Sequence, residues 1–224
     1  MITSRDNEKL KLVRKLADRR WREKLGLFAV EGEDLVDAAR EAGIEPVELL
    51  RAGEDVEPGL LAEVSELAHP PRVVGVYSRA DLPRGSRDLT LALWRVADPG
   101  NVGTLVRAAD AFGAAVALSA GSADPTGPKA SRASMGSIFR TPVVGFDEAE
   151  GRRIGLVPAG GRPLAEIDFD GPVVLVLGAE REGLPEDVLA GCDAQVTIPL
   201  AGGAESLNVS AAGAIALYET ARRR

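Results

Sequence analysis

Residues 173 to 185 read VVLVLGAEREGLP. The opening run of Val and Leu has no polar alternation, which is the composition of a strand buried on both faces, and such strands belong to parallel sheets covered by helices. It passes directly into Gly-x-Glu-x-x-Gly-Leu-Pro, whose glycines permit positive φ and a close backbone approach to a ligand. Working outward, the pattern recurs. LTLALWRV (89 to 96), AAVALSA (114 to 120), TPVVGF (141 to 146), IGLVP (154 to 158) and VTIPL (196 to 200) are short β-rich runs. Helical stretches are expected between them from about Val102 to Phe112, around 127 to 138, from Pro185, and from about Ser206 to Arg222. The result is an open α/β unit with a parallel sheet.

Upstream lies a second, smaller α/β pattern. A helix is expected from about Asn7 to Lys24, with Leu10, Val13, Leu16 and Ala17 on one stripe and Lys11, Lys15, Arg19 and Arg22 on the other. The runs LFAVEG (27 to 32), VELLRA (47 to 52) and VVGVYSR (73 to 79) read as strands, separated by helical stretches near 33 to 42 and 59 to 68. The aperiodic segment SRADLPRGSRD (78 to 88) concentrates Pro, Gly, Ser and charge, so it reads as the connection between a unit of residues 1 to 80 and one of residues 88 to 224.

The 224 residues carry a net charge of −7, which at first argues against a polyanionic partner. The distribution is polarised: residues 1 to 24 sum to +5 and the remainder to −12. On charge alone a solvated helix face accounts for the basic segment, but a local basic patch is also what RNA contact requires. No apolar run approaches the ~20 residues that span a bilayer, and MITSRDNEKLK lacks the apolar core of a signal peptide, so a cytoplasmic protein with no membrane partner is expected. A single cysteine, Cys192, and a single histidine, His69, argue against an internal disulfide, a Cys/His metal cluster and a Ser/His or Cys/His catalytic unit.

In parallel sheets ligands bind beyond the carboxyl ends of the strands, and three segments stand there. In ADPGNVGTLVRAADAFG (97 to 113) a turn at Asp98-Pro99-Gly100 precedes Asn101, a candidate N-cap. Thr104, Arg107 and Ala111 then share one stripe, while Leu105, Ala109 and Phe112 line another. Arg107 is left free to meet an anion, or to pair with Asp110. In LGAEREGLP (177 to 185) Glu180 can orient a ligand or brace the loop. In IPLAGGAESLNVSAAGAIALYE (198 to 219) a Gly-rich loop delivers Ser206, a candidate cap, and Asn208 to a helix rich in Gly and Ala, which allows unusually close packing.

Together these three segments, in this order, resemble the SpoU (TrmH-like) family of RNA ribose 2'-O-methyltransferases, within the SPOUT superfamily. Asn-x-Gly-x-x-x-Arg, Leu-Gly-x-Glu-x-x-Gly-Leu and Ile-Pro-Leu with Glu-Ser-Leu-Asn-Val-Ser carry the resemblance over residues 88 to 224, and RASMGSIFR (132 to 140) matches an intermediate block. The basic helix followed by FAVEGEDLV (28 to 36) resembles, more weakly, the family's small substrate-binding domain. The resemblance implies an α/β fold in which a small α/β substrate-binding domain precedes a parallel-sheet methyltransferase domain threaded as a deep trefoil knot.

It further implies S-adenosylmethionine as cofactor, no metal, a homodimer with the last helix at the interface, and an RNA substrate, ribosomal RNA ahead of transfer RNA. Carried over by motif, Arg107, Asn101, Glu180, Ser206 and Asn208 form the catalytic set. Ser119, Ala120, Gly178, Ile198, Leu200, Ser206 and Leu207 form the cofactor pocket. Arg5, Lys9, Lys11, Arg14, Lys15, Arg19 and Arg22 are the candidate RNA contacts. Arg107 is open to two roles, base or electrostatic stabiliser of a developing alkoxide, because a guanidinium stays protonated at neutral pH. Three departures accompany the match: Ala179 where many members have Asn, charged Arg181 and Glu182, and a short 146 to 171 segment expected to lack a peripheral helix. The competing reading is a non-catalytic RNA-binding relative, against which the intact motif residues argue. A nucleotide-binding metabolic enzyme would need a phosphate-cradling motif, and none is found.

Overall fold

The β-rich runs form two sheets in the computed structural model, which describes residues 1 to 65 and 70 to 224. His69 and the last part of the expected 59 to 68 helix lie outside the described residues. In the first unit β1 (Leu27–Glu31) and β2 (Glu48–Arg51) both pair antiparallel with a central β3 (Val73–Ser78). Helices α3 (Glu33–Glu41) and α4 (Pro58–Val64) connect them.

The expected single N-terminal helix is instead two, α1 (Glu8–Leu16) and α2 (Arg19–Leu25). Asp18 causes the break: its backbone is extended (φ −87°, ψ 130°) and its carboxylate accepts from Arg20 N, capping α2. The turn rotates Arg22 inward. Its Nε donates to Asp124 Oδ2 at 2.8 Å and its Nη1 to the carbonyls of Leu16 and Ala17 at 2.8 and 2.7 Å. Arg22 is buried, so it is withdrawn from the candidate RNA contacts; an amphipathic-helix reading could not foresee that a kink would turn it into the protein.

The second unit is a seven-stranded parallel sheet in the order β6-β5-β4-β9-β7-β10-β8. Its strands are β4 (Leu89–Leu93), β5 (Ala115–Leu118), β6 (Val143–Gly145), β7 (Arg152–Leu156), β8 (Arg162–Pro163), β9 (Val173–Leu177) and β10 (Ala194–Thr197). The two-residue β8 had no legible sequence signal. Helices α5 (Pro99–Ala111), α6 (Pro128–Ser134), α7 (Glu186–Ala190) and α8 (Val209–Arg223) complete the unit. Residues 146 to 171 contain only single 3-10 turns besides β7 and β8, as the shortness of that segment implied.

The small residues of α8 let it lie close on the sheet. A Cβ on Gly213 would stand 2.3 Å from Leu105 Cδ2 and 3.2 Å from Leu177 Cδ2, so a larger residue there would force the Leu105 side chain to move. No described helix is long and apolar enough to cross a membrane.

The two sheets share one hydrophobic core. Phe28 and Tyr77 of the small sheet meet Phe139, which follows α6, with ring centroids 5.1 to 6.0 Å apart. Burial pushes the Tyr77 hydroxyl up to about 12, aided by the charges of Glu45 and Asp37. Beside this cluster, Asp124 anchors Arg22 and also accepts from Thr126 N and Oγ1.

Burial pushes the Asp124 carboxyl up, but its hydrogen bonds with Thr126 and Arg22 prevail and hold it below the ordinary range. A depressed folded-state value stabilises above the unfolded value of about 4 and loses that contribution as pH falls through the folded value. Asp124→Ala should therefore cost about 3 to 5 kcal/mol at neutral pH, because it strands a buried guanidinium. Urea denaturation should show this gap between wild type and variant narrowing as the pH drops below about 4.

Candidate active site

The strand order sets the carboxyl ends of β9, β7 and β10 side by side next to β4, and the segments leaving those three strands, with the start of α8, line a cleft of about 210 Å³. Gly178, Ile198, Leu200, Ser206 and Leu207 all line it, so five of the seven expected pocket residues come together. Gly178 is required by a close approach: a Cβ there would stand 2.1 Å from the Gly183 carbonyl carbon. The loop folds back on itself, with Gly183 N donating to Ala179 O at 2.9 Å. Ala179 and Arg181, both departures from the motif, face the same cleft.

Ser119 and Ala120 do not reach it. They line a second groove beyond β5, and Ser119 Oγ accepts from Arg95 N at 2.8 Å, bracing the β4–α5 loop. Their place in the cleft is taken by Leu156, Val157 and Pro158 at the end of β7. The signal for these was available, since IGLVP reads as a strand and ligands sit at strand carboxyl ends. Its one glycine, Gly155, lies inside the strand and not in the turn after it, so nothing there draws attention.

Beside the cleft a polar network joins the three motif segments. Helix α5 begins at Pro99, and its cap is Asp98, whose Oδ1 accepts from Asn101 N at 3.0 Å. Asn101 is therefore not the cap. Relieved of that duty, its side chain donates Nδ2 to Glu180 Oε1 at 3.1 Å, while its Oδ1 accepts from Asn208 Nδ2 at 3.2 Å and Ser210 Oγ at 2.9 Å. Asn208, not Ser206, caps α8, its Oδ1 accepting from Ser210 N and Ala211 N. Ser206 is left facing the cleft. Ser210 was not foreseen; it sits just inside the helix start, where a hydroxyl normally attracts no notice.

Burial pushes Glu180 up, yet the Asn101 side chain and the backbone N–H groups of Glu180, Asp98 and Ala97 outweigh it and hold the carboxyl below its ordinary value. Glu180 is thus an ionised acceptor at neutral pH. Asp98 is also held low, first by its hydrogen bond from Lys129 Nζ at 2.8 Å.

Arg107 stands apart. It is exposed on α5, it does not line the cleft, and among the described residues its guanidinium has no hydrogen bond or ion pair. Asp110 pairs instead with Arg140, at 3.0 and 2.8 Å. Of the basic N-terminal side chains, Arg5 and Arg14 meet Glu63, Lys9 meets Glu48, Lys11 meets Glu8, and Arg19 meets Glu23. Lys15 and Lys24 lie 5.2 and 5.0 Å from the Trp21 ring centroid. Arg14 and Arg19 also donate to the carbonyls of Arg5 and Ser122, at 2.9 and 3.2 Å; the ion pairs themselves lie at the surface, where each is worth little.

A parallel sheet with this cleft and network defines a class, and comparison with known proteins identifies it. Residues 88–218 match the model of the SpoU rRNA Methylase family, and residues 7–79 that of an MRM3-like substrate binding domain. The chain belongs to the SpoU rRNA methylase family. It is 34% identical over 241 residues to the 23S rRNA (guanosine(2553)-2'-O)-methyltransferase RlmP of Bacillus subtilis, covering 97% of each chain. It is 36% identical over 216 residues to the 23S rRNA (uridine(2479)-2'-O)-methyltransferase of Streptomyces viridochromogenes, covering 85% of this chain and 75% of the relative. The AdoMet-bound rRNA methyltransferase from Sinorhizobium meliloti superposes with a TM-score of 0.87 at 30% identity, over 99% of this chain and 97% of the other.

Replacing Asn101 by Ala removes the largest hydrogen bond that lowers the Glu180 carboxyl. Its titration, followed by carbon-detected NMR of the side chain, should then move up toward or above the ordinary carboxylate value.

Proposed function

We propose that this protein is an S-adenosylmethionine-dependent methyltransferase acting on a ribose 2'-hydroxyl of ribosomal RNA. The observation that carries the reading is the cleft at the carboxyl edge of the sheet, tied by Asn101, Glu180 and Asn208 into one polar network. The family supports it, as do relatives named 23S rRNA 2'-O-methyltransferases.

The residues present fit the cofactor. Apolar walls from Leu156, Ile198, Leu200 and Leu207 suit an adenine ring, and the bare backbone of Gly178 admits close approach. The ionised Glu180 is an acceptor for positive charge. When bound, S-adenosylmethionine supplies an electrophilic methyl group on its sulfonium. The protein's own task is then to align a ribose hydroxyl and to stabilise the oxygen as its proton leaves. Arg107 supplies a guanidinium that acts on that developing alkoxide. Asn101, Glu180 and Asn208 position the loops, and Ser206 faces the cleft.

Exposed, unpaired and away from its own cleft, Arg107 supports a homodimer in which it reaches the partner's reaction site. The exposed Ile215 and Tyr218 on α8 supply an apolar surface for such an interface. Strand β9 lying between β4 and β7, with α8 packed on β9 and α5, supports a chain threaded as a deep trefoil knot, one of the rare exceptions to un-knotted topology. Residues 1 to 80 are the RNA-binding unit, residues 88 to 224 the methyltransferase unit, and the cytoplasm, where ribosomal RNA resides, the place of action.

Wild-type protein incubated with labelled S-adenosylmethionine and an unmodified 23S rRNA transcript is expected to yield ribose 2'-O-methyl nucleoside. Transfer to no RNA, with transfer RNA as a parallel substrate, would overturn the reading. Arg107→Ala should lower kcat by roughly 100-fold or more while calorimetric cofactor affinity stays at the wild-type value.

A further inference from the structure

A second groove, of about 710 Å³, opens beyond the ends of β5 and β6, where the two units meet. That volume lies within the ~300–1,000 Å³ of built ligand sites. Its walls differ in character. The floor is apolar, with Leu118, Ala123 and Ile138; the hydroxyls of Ser86, Ser119 and Ser122 punctuate it. Arg19, Arg79 and Arg84 line the groove together with the carboxylates of Asp124, Glu148 and Glu150, of which Asp124 is bound to Arg22 and Thr126 and Glu148 accepts from Gly145 N at 3.2 Å. Arg19 and Arg79 are engaged, with Glu23 and Ser122 O and with Asp124 respectively. Arg84 is exposed and has no hydrogen bond or ion pair among the described residues.

This groove is a neighbour of the methyl-transfer cleft. Gly145, Leu118, Leu93 and Leu177 stand in register across four adjacent strands. Leu118 lines the groove and Leu177 the cleft, two strand spacings apart, or about 10 Å. Between them rises the loop after β4, and its crest is Arg95. This is one of two non-glycine residues with positive φ among the described residues, at 52°, a conformation that persists only where the surroundings enforce it. Here the enforcement is visible: Ser119 Oγ accepts its N–H, and its side chain lies over Gly121, next to Ala120 of the groove. Its guanidinium is exposed and unpaired among the described residues.

We propose that this groove receives an unstacked nucleotide of the RNA adjacent to the one being methylated, with the intervening backbone phosphate held by Arg95 and Arg84. The inference rests on the ribose-methylation reading. An apolar floor with hydroxyls suits a base and ribose; the arginines suit phosphate. The carboxylates of Glu148 and Glu150 in the lining can accept from the amino and imino edge of guanine, or the amino group of cytosine or adenine. A phosphate alone would need no carboxylate, and an apolar metabolite no arginine.

The test uses the full chain and three variants, Arg84→Glu, Arg95→Glu and the groove-filling Ala120→Trp, with an unmodified 23S rRNA transcript as probe. Each variant should raise the RNA KM and the RNA Kd from filter retention by roughly tenfold or more. The charge reversals should also flatten the salt dependence of binding, and the cofactor Kd should not move. Wild-type RNA KM and Kd in both charge-reversal variants, with methyl transfer intact, overturn the groove and leave the proposed activity standing. If the wild type transfers no methyl group to RNA, the activity falls, and the retention measurement still decides whether RNA occupies the groove.

Discussion

The carboxamide of Asn101 is asked to satisfy the loops after three different strands at once. Its nitrogen donates to Glu180 in the loop after β9, its oxygen accepts from Asn208 and Ser210 at the head of α8, and its own backbone is pinned by Asp98 after β4. An amide has one acceptor end and one donor end in a fixed plane, so these distances can be met together only if the three loops hold one arrangement. The cleft walls hang from the same loops. The shape of the pocket thus follows from the polarity of one side chain, and Asp98, by taking over the cap, leaves that side chain available.

Most of the secondary structure was legible because it depends on composition over several residues. The runs at 89 to 93, 115 to 118 and 173 to 177 are Val, Leu and Ala apart from Thr90, the composition of strands covered on both faces. Decisions that turn on one hydrogen bond were not legible. Asp98 and Asn101 are both good caps three residues apart, and so are Ser206 and Asn208 two apart; only the geometry of the loop selects between them. The break at Asp18 is of the same kind. Much of the candidate site was readable, since its residues follow strands in recognisable order. Ser119 and Ala120 were misassigned because the strand order, which sends β5 away from the cleft and β7 beside it, is a non-local property that no segment encodes by itself.

Charge tells a similar story of average against location. Basic side chains of α1 are held by carboxylates such as Glu48 and Glu63, so an acidic protein can carry a basic surface without bearing a strong net field. Among the arginines that have no protein partner in the described residues, Arg84, Arg95 and Arg107 stand around the carboxyl edge of the parallel sheet or on the helix that starts there. Their guanidiniums are already organised around the reaction edge, although the sum over the chain is negative.

The ring contacts of Phe28 and Tyr77 with Phe139, and the buried ion pair of Arg22 with Asp124, weld the small sheet to the large one. Two units joined by a tether would sample many separations, and a docked RNA could offer several riboses to the cleft. Welded, they act as a caliper with a locked jaw. On the proposed function, the core fixes the distance from the basic surface of the small unit to the cleft, and that distance is what selects a ribose.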